Sequence, residues 1–217
     1  MNKVDLLKKT TLFVNAKLAG AEAVHDWWHI ERVRNTALQI GKVEQGDLLV
    51  IELGALLHDI ADSKFHDGDE EVGPEIALKY LNEVGVEDQV KSHVINIIRN
   101  ISFRKSKEKR EFDSLELRIL QDADRLDAIG AIGIARAFNY GGFKNRAFYD
   151  PEIPPMLEMT KDQYKNSTSP TINHFYEKLL LLKGMMNTVT GEKMAADRHE
   201  FMEHYLQQFY DEWNGKA

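Results

Sequence analysis

The 217 residues are 43% hydrophobic and 29% charged, the composition of a folded globular chain, which excludes a disordered or fibrous protein. A chain of this length buries about 70% of its unfolded surface, enough for one domain with a full core. The absence of cysteine excludes disulfides, iron–sulfur clusters, thiolate zinc sites and cysteine nucleophiles, and the formal charge of −7 argues against a duplex nucleic-acid partner, which needs a dominant basic face.

Residues 1–10 are charged and lack a signal-peptide core, and every apolar run is too short to cross a bilayer. A cytoplasmic protein away from membranes is expected. Val4, Leu7, Thr11, Val14 and Leu18 lie at helical spacing and predict a helix over 4–18. Ile30, Val33, Ala37 and Ile40 predict a second over 27–43. Gly46-Asp47 is a turn, with Asp47 as N-cap of a helix over 48–61 that is almost wholly apolar until His58-Asp59. That is the pattern of a buried central helix. Pro74 opens a helix that Gly85 stops, and Val90, Val94, Ile97, Ile98 and Ile101 predict the next over 87–103. Asp113 with Glu116 is a capping pair opening a long helix to about residue 140. Further helices are expected from 164 or 172 to 187 and over 192–213.

No β-branched alternation occurs, so the expected fold is all-α. It is read as a single domain over 1–217 with a helical core at about 20–140, a loop over 141–170 and C-terminal helices over 171–217. Four of the five prolines, Pro151, Pro154, Pro155 and Pro170, fall in that loop. Its length and composition predict a mobile segment. Its Lys144 and Arg146 are candidates to close over phosphates. Phe201, Tyr205, Phe209 and Trp213 run at i, i+4 spacing and read as a packing stripe.

The polar residues that interrupt apolar faces carry the chemistry. His58 and Asp59 sit inside an apolar stretch and need partners, because unpartnered burial costs several kcal/mol. A metal or a hydrogen-bonded pair would both serve. His29 shares a helix face with Arg32, which suits a metal beside a phosphate oxygen. His25-Asp26 is a second His–Asp pair, and His25 with His29 at i, i+4 could share a zinc. No glutamate follows in the His-Glu-x-x-His pattern. Leu117, Leu120, Ala128 and Ala131 share the face of Asp124, so this carboxylate is expected to point inward and to need a cation.

The order His29…His58-Asp59…Asp124 on an all-helical chain resembles the HD-domain superfamily of metal-dependent phosphohydrolases. The stretch 171–179, Thr-Ile-Asn-His-Phe-Tyr-Glu-Lys-Leu, is similar to a small bacterial subgroup of HD hydrolases of similar length, so the resemblance covers nearly the whole chain. It implies an HD-domain helical bundle with additional C-terminal helices. It also implies hydrolysis of a phosphate ester or anhydride, usually on a nucleotide, with His29, His58, Asp59 and Asp124 as metal ligands. A nitrogen–oxygen donor set of this kind favours Mn²⁺, with Mg²⁺, Co²⁺, Ni²⁺, Fe²⁺ or Zn²⁺ also compatible.

The departures narrow the resemblance. Alarmone-hydrolysing members carry Glu-Asp where this chain has Asp62-Ser63. The Gly-Tyr-Pro signature of the cyclic-dinucleotide branch is absent. The 5′-nucleotidase branch has glutamate where Asp62 stands. Small pyrophosphohydrolases acting on nucleoside triphosphates match best, giving a monophosphate and pyrophosphate. A 5′-nucleotidase-type phosphomonoesterase and a non-catalytic metal- or nucleotide-binding sensor stay open.

Asp62, one helical turn past His58, is a candidate to orient or deprotonate the attacking water, and Lys64 to hold a phosphate oxygen. The resemblance offers His93 as a ligand of a second metal or a group supporting the first. Asp127 is a candidate to support Asp124, or to pair with Arg125 or Arg136. Arg32, Asn173, His174 and Lys178 are candidates for substrate contact, the last three mainly by resemblance. The expected partner is a small nucleotide or phosphate ester, and a homodimer stays open.

Overall fold

In the computed structural model, residues 2–18, 26–61, 69–101, 112–160, 163 and 167–216 are described. The fold is all-α, with no strand among the described residues. The chain divides into two compact units, Met1–Asp124 and Arg125–Ala217. The division falls inside a continuous helix, so no change of hydrophobic period marks it.

The first unit holds α1 (Lys3–Lys17), α2 (Trp27–Glu44), α3 (Leu48–Leu57), α4 (Val72–Glu83), α5 (Asp88–Asn100) and most of α6 (Leu115–Asp127). The Asp47 carboxylate caps α3 as expected, accepting from the N–H groups of Leu49 at 2.8 Å and Val50 at 3.3 Å. Every residue of α3 from Val50 to Leu57 is buried, and α1, α2 and α5 pack around it. Leu53, Leu56 and Leu57 are fully buried, each contributing about 1.5–3 kcal/mol of transfer free energy.

α3 ends at Leu57, four residues short of the expected 61. The His58 ring ends it: Nδ1 lies 2.8 Å from the Ala55 carbonyl, one of the last-turn acceptors that lack a helical N–H. His58 and Asp59 therefore stand on a turn, and only the histidine caps the helix. The expected Asp113–Glu116 capping pair is also corrected. Ser114 Oγ accepts from the Leu117 N–H at 3.1 Å, Asp113 pairs with Arg118, and Glu116 Oε1 accepts from the Asp47 N–H at 3.0 Å.

The second unit holds the end of α6, then α7 (Gly130–Phe143), α8 (Thr171–Glu177), a 3₁₀ stretch (Leu179–Met185) and α9 (Val189–Trp213). The long helix expected from 113 to 140 is thus two. Gly130 adopts φ +73°, in the left-handed region open to glycine, and a Cβ at Gly133 would overlap the Ala128 carbonyl. Arg198 donates to the Leu126 carbonyl and Arg136 Nη1 to the Asp127 carbonyl at 3.1 Å, satisfying the acceptors that the break exposes. Tyr205 stacks on Phe175 at 6.0 Å, and Phe209 and Trp213 flank Tyr149 at 5.7 and 4.9 Å. The middle of the C-terminal stripe is packing, whereas Phe201 and Trp213 at its ends are exposed.

The described part of the 141–170 loop is fastened, against the expectation of a free lid. The Asn173 amide donates to the Ile153 carbonyl at 2.8 Å and to Ser169 Oγ at 3.1 Å. Glu177 Oε1 accepts from the Met156 N–H and the Ser169 hydroxyl at 3.1 and 3.0 Å. Proline and glycine content reports backbone options, and these side-chain clasps come from a helix further along the chain. Among the described residues no helix is long and apolar enough to cross a membrane.

Candidate metal centre

His29 enters from the first turn of α2. Asp26 is the N-cap, its Oδ1 accepting from the His29 N–H at 3.0 Å, so the helix start fixes the position from which the ring reaches inward. The His29 side chain is 2% exposed. His58 enters from the end of α3, and the two ring centroids lie 5.5 Å apart, tilted by 58°. Asp59 follows on the turn and Asp124 comes from α6.

His29 Nε2 lies 3.7 Å from Asp59 Oδ2 and 3.5 Å from Asp124 Oδ1, and His58 Nε2 lies 3.9 Å from Asp59 Oδ2. These separations are too long for good hydrogen bonds between imidazole and carboxylate. They do suit donors that share an ion. Bonds of about 2.1 Å to an octahedral ion put neighbouring donors about 3.0 Å apart and opposite donors about 4.2 Å apart. His29, His58 and Asp59 offer atoms all within 4.8 Å of one another. Asp124 approaches through His29.

The tautomer of His58 follows from its partner. A carbonyl only accepts, so Nδ1 carries the hydrogen and Nε2 carries a lone pair. That nitrogen is buried and has no hydrogen-bond partner, which costs about 1–3 kcal/mol. A divalent cation satisfies it, and two imidazoles with two carboxylates are a matching donor set. The residues fit a metal. The side chain of Asp59 is 28% exposed and that of Asp124 39%, so the group is sealed on its histidine side and open on its carboxylate side. The fully inward Asp124 expected from its helical face is corrected: the first unit ends there, and solvent reaches the carboxylate.

The other candidates separate. Arg32 is half-buried on α2, three residues past His29. Asp62, Lys64 and His25 lie outside the described residues. His93 is not brought to the ligand group. Its Nε2 faces Ser114 Oγ at 2.9 Å and Glu116 Oε2 at 3.4 Å, and Glu116 is eight residues, about 12 Å, along α6 from Asp124. Asp127 pairs with Arg136 at 2.5 Å, one of the two arginine pairings open in the sequence. Lys144 is exposed, its Nζ 5.6 and 5.0 Å from the Tyr140 and Phe143 ring centroids. Asn173 is buried, and its amide N–H groups clasp the loop. His174 and Lys178 stand half-buried on and just after α8.

One positioning pair escaped the sequence reading. Arg34 on α2 donates to Glu52 on α3 through Nη2 at 2.5 Å and Nε at 3.0 Å, and Nη1 reaches Glu31 at 3.2 Å. Burial opposes the Arg34 charge, and Glu52 and Glu31 more than offset it, holding its pKa above the ordinary range. The pair ties together the two helices that deliver His29 and His58. Its signal was available, because Glu52 is a lone carboxylate in the apolar run before His58. Asp26, half of the second His–Asp pair, is the cap that seats His29.

The family model described as "HD domain" matches residues 27–129, a span that contains all four residues of the ligand motif. The Bacillus subtilis protein YpgQ is 37% identical over 211 residues, covering 96% of this chain and 94% of that protein. The crystal structure of an HD-superfamily hydrolase from Bacillus thuringiensis aligns with a TM-score of 0.80 at 42% identity, covering 98% of this chain and 99% of that one. The crystal structure of YpgQ in complex with ADP aligns with a TM-score of 0.76 at 35% identity, covering 98% and 97%.

Proposed function

The chain belongs to the HD-domain family, and from that premise we propose that it is a metal-dependent phosphohydrolase acting on a nucleotide, cleaving a nucleoside triphosphate to a monophosphate and pyrophosphate. The observation that carries the reading is the buried, unpartnered Nε2 of His58 beside His29 and Asp59. The nucleotide is supported by the ADP held in the related YpgQ crystal structure.

His29, His58 and Asp59 would hold the ion, with Asp124 completing the set, and Mn²⁺ is the metal that the donors favour. When bound, the ion supplies charge stabilisation at a phosphoryl oxygen and a seat for the attacking water. The protein's own part is distinct. Asp62 takes the proton of that water, Lys64 holds a phosphate oxygen, and Arg32 offers a planar guanidinium to another. The open carboxylate side of the group admits the substrate, and the sealed histidine side holds the two imidazoles in place.

The test is incubation of metal-reconstituted protein with a panel of nucleoside mono-, di- and triphosphates, with products separated chromatographically. Monophosphate and pyrophosphate from a triphosphate support the reading. Orthophosphate from a 5′-monophosphate, with triphosphates untouched, would make the protein a phosphomonoesterase. Binding without turnover across the panel would make it a sensor.

A further inference from the structure

We propose that the indole of Trp28 is the base platform of the site: a nucleobase stacks on it while the nucleotide's phosphates lie at the metal group. This platform rests on the nucleotide reading above. It makes base selection loose, with purines preferred to pyrimidines because they stack over more area.

The face of α2 sets the order of the residues. At about 100° per residue, Arg32 lies about 60° round the helix from His29, and Trp28 about 100° round in the same sense. Ile30, Val33, Ala37 and Ile40 lie on the other side of His29. Burial follows this order. Those four are fully buried, the His29 side chain is 2% exposed, Arg32 is half-buried and Trp28 is 65% exposed. From core to solvent the face therefore runs from packing residues to a metal ligand, then a guanidinium, then an indole. Helical side chains lean toward the N-terminal end, which is the end at which Asp26 seats His29. Trp28 and Arg32 stand at i, i+4, with Cβ atoms about 5–6 Å apart, comparable with the span of one sugar between a phosphate and its base.

The indole is unspent. Trp28 is the one exposed aromatic residue of the first unit among the described residues, and it makes no ring contact, hydrogen bond or ion pair there. By contrast Phe13 is stacked on Tyr80 at 4.0 Å, and Phe112 stands edge-on to His93 at 5.6 Å. An indole left in water keeps a large apolar area that a flat ligand would bury. A protein partner would need an apolar patch around it, yet the other exposed positions along this face of α2 are Asn35 and Gln39. A lone aromatic ring in polar surroundings, beside a metal group, suits a single planar ring system tethered to a phosphate. Every nucleobase offers a π-face, so stacking alone tolerates all of them.

The experiment loads the full chain with Mn²⁺ and measures binding of AMP, CMP and ribose 5-phosphate by calorimetry and by quenching of indole fluorescence. Ribose 5-phosphate keeps the sugar and phosphate and lacks the base. Trp28→Leu should weaken AMP binding about tenfold, as loss of one base–aromatic stack does, and should leave ribose 5-phosphate unchanged. Trp28→Phe, which keeps a smaller ring, should recover part of the loss. Wild type should bind AMP more tightly than CMP, and that difference should vanish in Trp28→Leu. Metal content and far-UV circular dichroism should match in all three proteins. Equal AMP affinity in wild type and Trp28→Leu would overturn the platform and leave the phosphohydrolase reading standing. An equal loss for ribose 5-phosphate would also overturn it, since a purely structural role moves both ligands together. So would an oligomer that dissociates in Trp28→Leu with AMP affinity unchanged, which would assign the indole to a protein contact. Wild type that binds none of the three would overturn it as well, and the product assay then decides the phosphohydrolase reading by itself.

Discussion

Removing Glu52 perturbs the metal centre without touching a ligand. Its side chain is 9% exposed and receives two N–H groups of Arg34, whose own side chain is 23% exposed. Breaking a buried pair by deleting one partner costs about 3–5 kcal/mol, because the other charge stays behind unpaired. Arg34 retains Glu31 at 3.2 Å and partial access to water, so the cost falls at or below the lower end of that range. Glu52→Ala should cost about 2–3 kcal/mol and lower the melting temperature by about 4–12 °C in a chain of this size. Arg34→Ala should cost a similar amount, and the double variant little more than either alone, giving a coupling of about 2 kcal/mol in a double-mutant cycle. Urea unfolding of metal-free protein is the assay, since bound metal would add its own linkage. α2 and α3 carry His29 and His58, so metal affinity should fall in the same variants. A loss below about 0.5 kcal/mol in Glu52→Ala, or simple additivity in the cycle, would refute the clamp.

Three further outcomes are expected. His174 is held neutral in the folded chain down to about pH 4, against an ordinary value of 6.5, so between those values the unfolded chain binds the extra proton. Stability should therefore fall as pH drops from 6.5 to 4 by up to on the order of 3 kcal/mol, and urea curves of His174→Gln should lack that part of the fall. Asn173→Ala should release the clasp on Ile153 and Ser169 and speed limited proteolysis within 153–169, while a substrate-contact role would leave that rate unchanged. Asp62→Asn should lower turnover by about 10²–10⁴-fold with metal still bound, the range for a lost general base; unchanged turnover would assign water activation elsewhere.

The all-helical fold and the central position of α3 are legible in the sequence because apolar spacing encodes which face is buried. The cap at Asp47 is legible for the same local reason. The break between α6 and α7 is not, since Ile129, Ile134 and Ala131 keep helical spacing across it and only the φ of Gly130 interrupts the chain. The four residues His29, His58, Asp59 and Asp124 stand out as polar groups on apolar faces. Their convergence in space rests on tertiary packing, and so does the opening of Asp124 to solvent. Asn173 and His93 carry functional side chains, and each has a partner distant in sequence: Ile153 and Ser114. Residue type announces chemical capacity, whereas partnership decides whether that capacity is free for a ligand.

The histidine–aspartate group should bind a divalent ion, and elemental analysis tests that directly. Wild type, His58→Ala and Asp59→Asn should be loaded with Mn²⁺, passed over a desalting column, and measured for bound metal alongside far-UV circular dichroism. Wild type should retain the ion, and both variants should lose most of it at unchanged helical content. Equal metal content in wild type and His58→Ala, with the helices intact in both, would contradict the assignment.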